Sequence, residues 1–141
     1  MTRSCKPIAT IVGAVTLLLM LPSSASACNS WDIGGMSRDA KQSNGYILGL
    51  NFQQAGNALS GSGYYYPVGE GMGPRTPGQI SGSINGSEFQ FTMKWSNGGK
   101  GIYTGFVADD GTISGNTRDA KNRNSRATWY APKPQKAKCL G

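Results

Sequence analysis

Residues 88–95 read Glu-Phe-Gln-Phe-Thr-Met-Lys-Trp, and this stretch decides the fold. Apolar and polar side chains alternate with a period of two residues, so that Phe89, Phe91, Met93 and Trp95 share one face. Such alternation predicts an antiparallel strand with one face in a core and the other in solvent.

Similar alternation recurs on both sides of this stretch, and turn-forming sequences rich in Asn, Asp and Gly separate the segments. Strands are predicted over residues 30–33, 45–53, 58–66, 79–84, 87–95, 101–107, 112–117 and 126–131. Eight short strands at this spacing favour an all-β fold, an eight-stranded antiparallel up-and-down β-barrel, with a β-sandwich as the alternative. Residues 34–43 are polar and are predicted to form a loop or one helical turn.

Two further features concern the shape of this barrel. Residues 59–61, 80–82 and 113–115 each read as Leu or Ile followed by Ser-Gly. Each segment is predicted to open a strand, where the Gly permits a bulge or a sharp curve. Residues 67–78 are rich in Pro and Gly and form the longest predicted loop, either a lid over an opening or a surface connection.

The first 27 residues are typical of a signal peptide. Arg3 and Lys6 precede an apolar run over residues 8–21, and residues 25–27 read Ala-Ser-Ala, a typical cleavage sequence. Cleavage would leave residues 28–141 as one domain without a second apolar run long enough to span a membrane. The predicted localisation is therefore secreted or periplasmic.

The cysteines support export to an oxidising compartment. Cleavage after residue 27 removes Cys5 and leaves Cys28 and Cys139, which we expect to form a disulfide. Closure of an eight-stranded barrel would bring the first and last strands together, so such a bond would join neighbouring ends of the domain. The alternative is a lipid-anchored protein, because residues 25–28 partly resemble a lipobox that would modify Cys28.

Catalysis is not expected. The sequence contains no His, the commonest general base and transition-metal ligand. No spacing of the seven acidic residues forces two carboxylates together across a cleft. We therefore predict a non-enzyme with no catalytic residues, no metal and no cofactor.

Several segments resemble the avidin-like and lipocalin-like small barrels of the calycin type. They are Ser30-Trp31, residues 56–64, and the succession of residues 89–95 and 101–106. The resemblance implies a barrel whose mouth holds a small molecule; avidins hold biotin with Trp side chains and with hydroxyl and amide groups. Trp95 and Thr104 match that pattern, but Arg118 stands where avidins place another Trp, so biotin is not the expected ligand.

These features predict a secreted, non-catalytic binding module that holds a small ligand in the barrel mouth. The expected ligand-binding residues are Trp95, Phe91, Thr104, Tyr64 and Tyr66. This function requires an open pocket, which a fully packed interior would contradict.

The alternative is a secreted interaction protein, such as an inhibitor or an envelope-associated factor. It would bind an extracellular protein or an anionic polymer, but not nucleic acid, through residues 64–66, the loop over residues 67–78 or the basic C-terminal tail. Lys133, Lys136 and Lys138 are the expected contact residues of that tail. Core packing of the aromatic residues and simple solvation of the tail remain open as interpretations.

Overall fold

The computed structural model describes residues 27–69, 73–131 and 137–141. The secondary structure of these ranges consists of β-strands, without any helix. No helix in these ranges is long and apolar enough to cross a membrane. The strands are β1 (Trp31–Asp32), β2 (Ser37–Gln42), β3 (Tyr46–Ala55), β4 (Ala58–Pro67), β5 (Thr76–Asn85), β6 (Glu88–Trp95), β7 (Lys100–Val107), β8 (Ile113–Asp119), β9 (Arg126–Tyr130) and β10 (Lys138–Cys139).

Strands β2 to β9 form a closed antiparallel barrel in chain order. Closure occurs where β2 pairs with β9, with Lys41 opposite Tyr130 and Gln42 opposite Trp129. The predicted eight-stranded barrel is therefore confirmed. Strand β6, which contains the deciding stretch, points Phe89, Phe91 and Met93 into the core.

The prediction for residues 34–43 was wrong. Ser37–Gln42 form β2, the strand that closes the barrel, whereas the predicted first strand contributes only β1, which lies outside the barrel. The physical reason is that Ala40 is the only apolar residue of β2. One small buried side chain produces almost no alternation signal, and main-chain pairing with β3 and β9 forms the strand instead.

One end of the barrel is covered by β1, β10 and the residues that follow β1. Trp31, Ile33 and Met36 are buried there. The Gln54 side chain holds this cover to the barrel, because its oxygen accepts a hydrogen bond from Ile33 N at 2.9 Å and its nitrogen donates to Trp31 O at 3.2 Å. We call this the covered end.

The predicted disulfide lies at the covered end. Cys28 and Cys139 are bonded, with their Cα atoms 5.7 Å apart, and Cys139 is paired with Trp31 between β10 and β1. The bond therefore joins the two ends of the domain, as expected from the sequence.

Aromatic side chains fill the centre of the barrel. Phe52 contacts Phe91 edge to face at 5.3 Å between ring centroids, and Phe89 lies 6.1 Å from Trp129. All four rings are buried. The described residues leave a concave space at the end of the barrel opposite the cover.

The repeated Ser-Gly segments correspond to close approaches between neighbouring strands. A Cβ atom at the Gly of each repeat would overlap a backbone carbonyl oxygen of the adjacent strand. The glycines and the carbonyls they face are Gly61 with Asn51, Gly82 with Gln90, and Gly115 with Thr104. Because strand pairing continues through each of these positions, the glycines permit close packing and curvature rather than a bulge.

Candidate ligand site at the open barrel end

At the opposite end of the barrel, which we call the open end, the described residues leave a concave space of about 250 Å³. It is surrounded by residues 43–45, 96–99 and 120–125, which connect successive strands. We call this space the mouth. Its aromatic lining consists of Tyr46, Tyr65, Trp95 and Tyr103, and its polar lining includes Gln42, Asn97, Thr117, Arg118, Asp119 and Arg126.

Three aromatic rings meet at the mouth. Tyr65 contacts Trp95 edge to face, with centroids 4.7 Å apart, and contacts Tyr46 at 5.5 Å in the same manner. The Asn97 side-chain amide donates a hydrogen bond to the Tyr65 hydroxyl at 3.0 Å. The opposite side of Trp95 lies against Gly78, where a Cβ atom would be 2.6 Å from the indole ring. These contacts restrict the orientations of the rings.

Tyr103 forms the base of the mouth. Its ring stacks on Phe91 with centroids 4.8 Å apart and an interplanar angle of 5°. Its hydroxyl group is hydrogen-bonded with the side chains of Thr117 and Gln42, yet burial raises the pKa of Tyr103 to about 12. The hydroxyl therefore remains protonated at neutral pH and presents a polar group at the bottom of the mouth.

Asp119 is the only carboxylate among the described residues that line the mouth. One of its oxygens accepts hydrogen bonds from the backbone N–H groups of Lys121, at 2.7 Å, and Asn122, at 2.9 Å. These backbone hydrogen bonds lower the pKa of the Asp119 carboxyl below its ordinary value. Asp119 therefore holds the β8–β9 connection and does not resemble a general acid or base. Within the described ranges, no group of three or more His, Cys, Asp or Glu residues could hold a metal ion.

The structure brings two of the five predicted ligand-binding residues to the barrel interior. Trp95 lines the mouth, and Phe91 lies beneath Tyr103 in the core. Thr104, Tyr64 and Tyr66 instead lie on the outer wall, because they alternate with the inward-facing Tyr103 and Tyr65.

Tyr46, Tyr65, Tyr103 and Asn97 are mouth residues that the sequence interpretation missed. The alternation of side chains along a strand could have predicted one of them. Tyr65 follows the buried Leu59 at an even spacing, so both side chains lie on the same face of β4. For β7 the signal was ambiguous, because both faces contain apolar residues.

On the outer wall, Tyr64 and Tyr66 form a separate cluster with Arg75. The two rings stack with centroids 6.1 Å apart, and the Arg75 guanidinium lies 4.3 Å and 5.5 Å from the two centroids. The Tyr64 hydroxyl donates a hydrogen bond to Asp39 at 2.7 Å. Burial is the main cause that raises the pKa of Tyr64, and the bond to Asp39 adds to it.

Of the three contact residues predicted in the basic C-terminal tail, the structure describes only Lys138. Lys138 is exposed in β10 at the covered end, away from the mouth. Lys133 and Lys136 lie outside the described residues, as do residues 1–26 of the predicted signal peptide and residues 70–72 of the predicted lid. Thr76 to Gly78, which were predicted to belong to the loop, begin strand β5.

Neither a comparison with protein-family models nor one with curated proteins finds a match for this chain. Similarity to avidin-like or lipocalin-like barrels therefore remains a hypothesis from sequence patterns. The structure itself defines a class: a disulfide-linked, eight-stranded antiparallel β-barrel with one covered end and one open end. A disulfide of this kind is typical of proteins in oxidising compartments.

Proposed function

We propose that this protein is a secreted or periplasmic, non-catalytic binding module that holds a small ligand in the barrel mouth. The observation that supports this function best is the meeting of Tyr46, Tyr65 and Trp95 at the open end. Apolar rings combined with a few fixed polar groups are typical of small-molecule sites. Membership of an avidin-like or calycin group is part of the same proposal.

The dimensions of the mouth limit the ligand. The core below it is packed, since Phe91 and Met93 are almost completely buried. A ligand therefore occupies only the outer part of the barrel, where about 250 Å³ suits one or two rings rather than a long chain. The side chains of Gln42 and Asn97 provide polar groups that orient it.

A binding role fits the chemistry of the mouth better than catalysis does. The sequence has no His, and the carboxylate of Asp119 is already held by two backbone hydrogen bonds. Acid–base chemistry on a bound ligand requires a positioned proton donor or acceptor. Tyr103, with its pKa of about 12, is a poor base at neutral pH.

The disulfide supports a secreted or periplasmic protein over a lipid-anchored one. A lipid anchor at Cys28 would need the sulfur atom that the bond to Cys139 uses. The loss of either partner would also leave an unpaired thiol in an oxidising compartment.

Binding in the mouth can be tested with N-phenyl-1-naphthylamine, a neutral aromatic dye that fluoresces in apolar surroundings. We expect saturable binding that weakens about tenfold in Trp95→Ala, because the variant loses the largest ring of the mouth. Thr117→Leu fills the mouth without removing any ring, and it should also weaken binding. The second variant keeps the test valid if Trp95→Ala fails to fold.

The matched control is Phe106→Ser on the outer wall. Phe106 is 48% exposed and lines a separate outer groove with Thr104. Its replacement should leave dye binding unchanged. Dye binding that is lost in Phe106→Ser and retained in both mouth variants would contradict the proposed function.

The alternative, an interaction protein, would rest on the cluster of Tyr64, Tyr66 and Arg75. These side chains already contact one another, and Tyr64 is also bonded to Asp39. The mouth is concave and is lined by aromatic and polar groups, so we favour the small-ligand function.

A further inference from the structure

Charged side chains are distributed unevenly along the barrel axis. Basic residues gather at the open end, near the ends of β6 and β8, at the starts of β7 and β9, and in the β8–β9 connection. We call this set the basic rim; it consists of Lys94, Lys100, Arg118, Lys121, Arg123 and Arg126. Acidic residues gather at the covered end, namely Asp32, Glu88, Asp109 and Asp110.

The basic rim contains two pairs of like charges that face each other across strands. Lys94 is directly opposite Lys100 between β6 and β7, and Arg118 is directly opposite Arg126 between β8 and β9. Like charges directly opposite each other destabilise a sheet. Two such pairs at the same end of the barrel indicate a function that offsets their cost.

Arg118 and Arg126 lie at the edge of the mouth next to Thr117, and strand alternation directs both side chains toward the outer wall, where they also line a groove with Ile102 and Thr104. Arg126 Nε donates a hydrogen bond to the backbone oxygen of Arg123 at 3.1 Å, which restricts the guanidinium. Throughout the described part of the chain, no carboxylate forms an ion pair with Arg118 or Arg126. Both guanidinium groups therefore remain available to an anion that enters the mouth.

We propose that the mouth selects an anionic ligand, a ring-bearing carboxylate, sulfonate or phosphate. Its ring would contact Tyr65 and Trp95, and its acid group would be bound by Arg118 and Arg126. The rest of the basic rim would attract such anions from solution and raise the rate of association. This inference rests on the proposed function, since it names the ligand class of the same site.

Two dyes that differ by one group test the inference. The dye 8-anilinonaphthalene-1-sulfonate has the same ring system as N-phenyl-1-naphthylamine and adds a sulfonate. Hydrophobic burial alone predicts tighter binding of the neutral dye. We expect the opposite: the anionic dye binds about tenfold more tightly at low salt, and the difference shrinks at about 1 M NaCl, where charges are screened.

Variants that each remove one positive charge show which residues cause the preference for the anionic dye. Arg118→Gln and Arg126→Gln should each weaken binding of the anionic dye about threefold to tenfold, a larger loss than either variant causes for the neutral dye. Lys138→Gln at the covered end removes the same charge and should change neither affinity. Equal losses in all three variants would overturn the inference, because the effect would then be one of net charge.

The outcomes separate the two proposals. If neither dye binds, or if binding ignores the mouth variants, the proposed function fails as well. If the neutral dye binds the mouth at least as tightly as the anionic one, only the anion selectivity is overturned. If long-chain polyphosphate then binds the rim, the basic residues serve a polymer rather than a small ligand.

Discussion

Tyr103 and Thr104 are neighbours on β7, yet only Tyr103 faces the barrel interior. A Cβ atom at Gly101 would be 2.6 Å from the Tyr103 ring, so this glycine leaves the space that the ring occupies. Whether a strand position has room for an aromatic ring depends on the neighbouring residues in the fold, and the alternation of apolar and polar residues in the sequence does not show it. Thr104 was predicted as a site residue because it matches the avidin pattern, and Tyr103 was missed because alternation does not show which ring the packing admits.

Gly115 in β8 is required because the backbone of β7 passes very close to it. We expect Gly115→Ala to lower the free energy of unfolding by about 1–3 kcal/mol, because the added methyl group would overlap the Thr104 carbonyl oxygen. Urea unfolding measures this change. In the control Gly73→Ala, the new Cβ meets nothing within 4 Å, and a change of about 0.5 kcal/mol or less is expected. Equal stability of the Gly115 and Gly73 variants would contradict the close approach.

Tyr103 gives a pH-dependent prediction. Its pKa is about 12 in the folded protein, whereas an unfolded Tyr has a pKa of about 10. Between these values the unfolded chain loses the proton first, so stability falls by up to about 1.4 kcal/mol per pH unit as the pH rises. Tyr103→Phe keeps the ring and lacks this contribution.

The measurement for Tyr103 is urea unfolding from about pH 9 to about pH 11, for the wild type and for Tyr103→Phe. The wild type should lose stability more steeply than the variant. Parallel pH dependences would show that Tyr103 titrates normally and is not buried at the base of the mouth.

Among the elements, β2 shows the limit of sequence interpretation most clearly. The strands with strong alternation, such as β6, were predicted within a few residues of their observed bounds. By contrast, β2 contains a single apolar side chain, and it forms because two neighbouring strands supply hydrogen-bond partners. Local sequence cannot reveal this pairing, since both partners are distant in the chain.

The assignment of β2 can be tested at Ala40, which is completely buried. Ala40→Asp places an unpaired charge in the core and should cost about 3 kcal/mol or more. Lys41→Asp, one position further on an exposed face, should change stability by about 0.5 kcal/mol or less. Both values come from urea unfolding. If residues 37–42 formed a surface loop, the two variants would be equally stable.

The cover formed by β1 and β10 is a second element with its own prediction. Because Cys28 and Cys139 are separated by 111 positions, the double variant Cys28→Ser/Cys139→Ser should lose about 2–5 kcal/mol. Dye binding in the mouth should persist in the folded variant, because the disulfide lies at the opposite end of the barrel. A variant that is as stable as the wild type, or that loses dye binding while folded, would contradict this arrangement.

Across the whole molecule, the sequence predicted the closed barrel and its disulfide correctly, whereas it predicted only part of the lining of the mouth. Trp95 was found because it ends a strongly alternating strand. The remaining mouth residues come from six other strands and three connections, so their convergence depends on barrel closure. The separation of charge between the two ends likewise becomes visible only when the strands are aligned side by side.

Locating a bound dye on the protein shows whether the mouth is the ligand site. Backbone and side-chain amide signals of the ¹⁵N-labelled protein can be followed by NMR while 8-anilinonaphthalene-1-sulfonate is added. We expect the largest chemical-shift changes at the Trp95 indole N–H and at the side-chain amides of Asn97 and Gln42. Changes confined to the outer wall around Thr104 and Phe106, or to the covered end, would contradict this expectation.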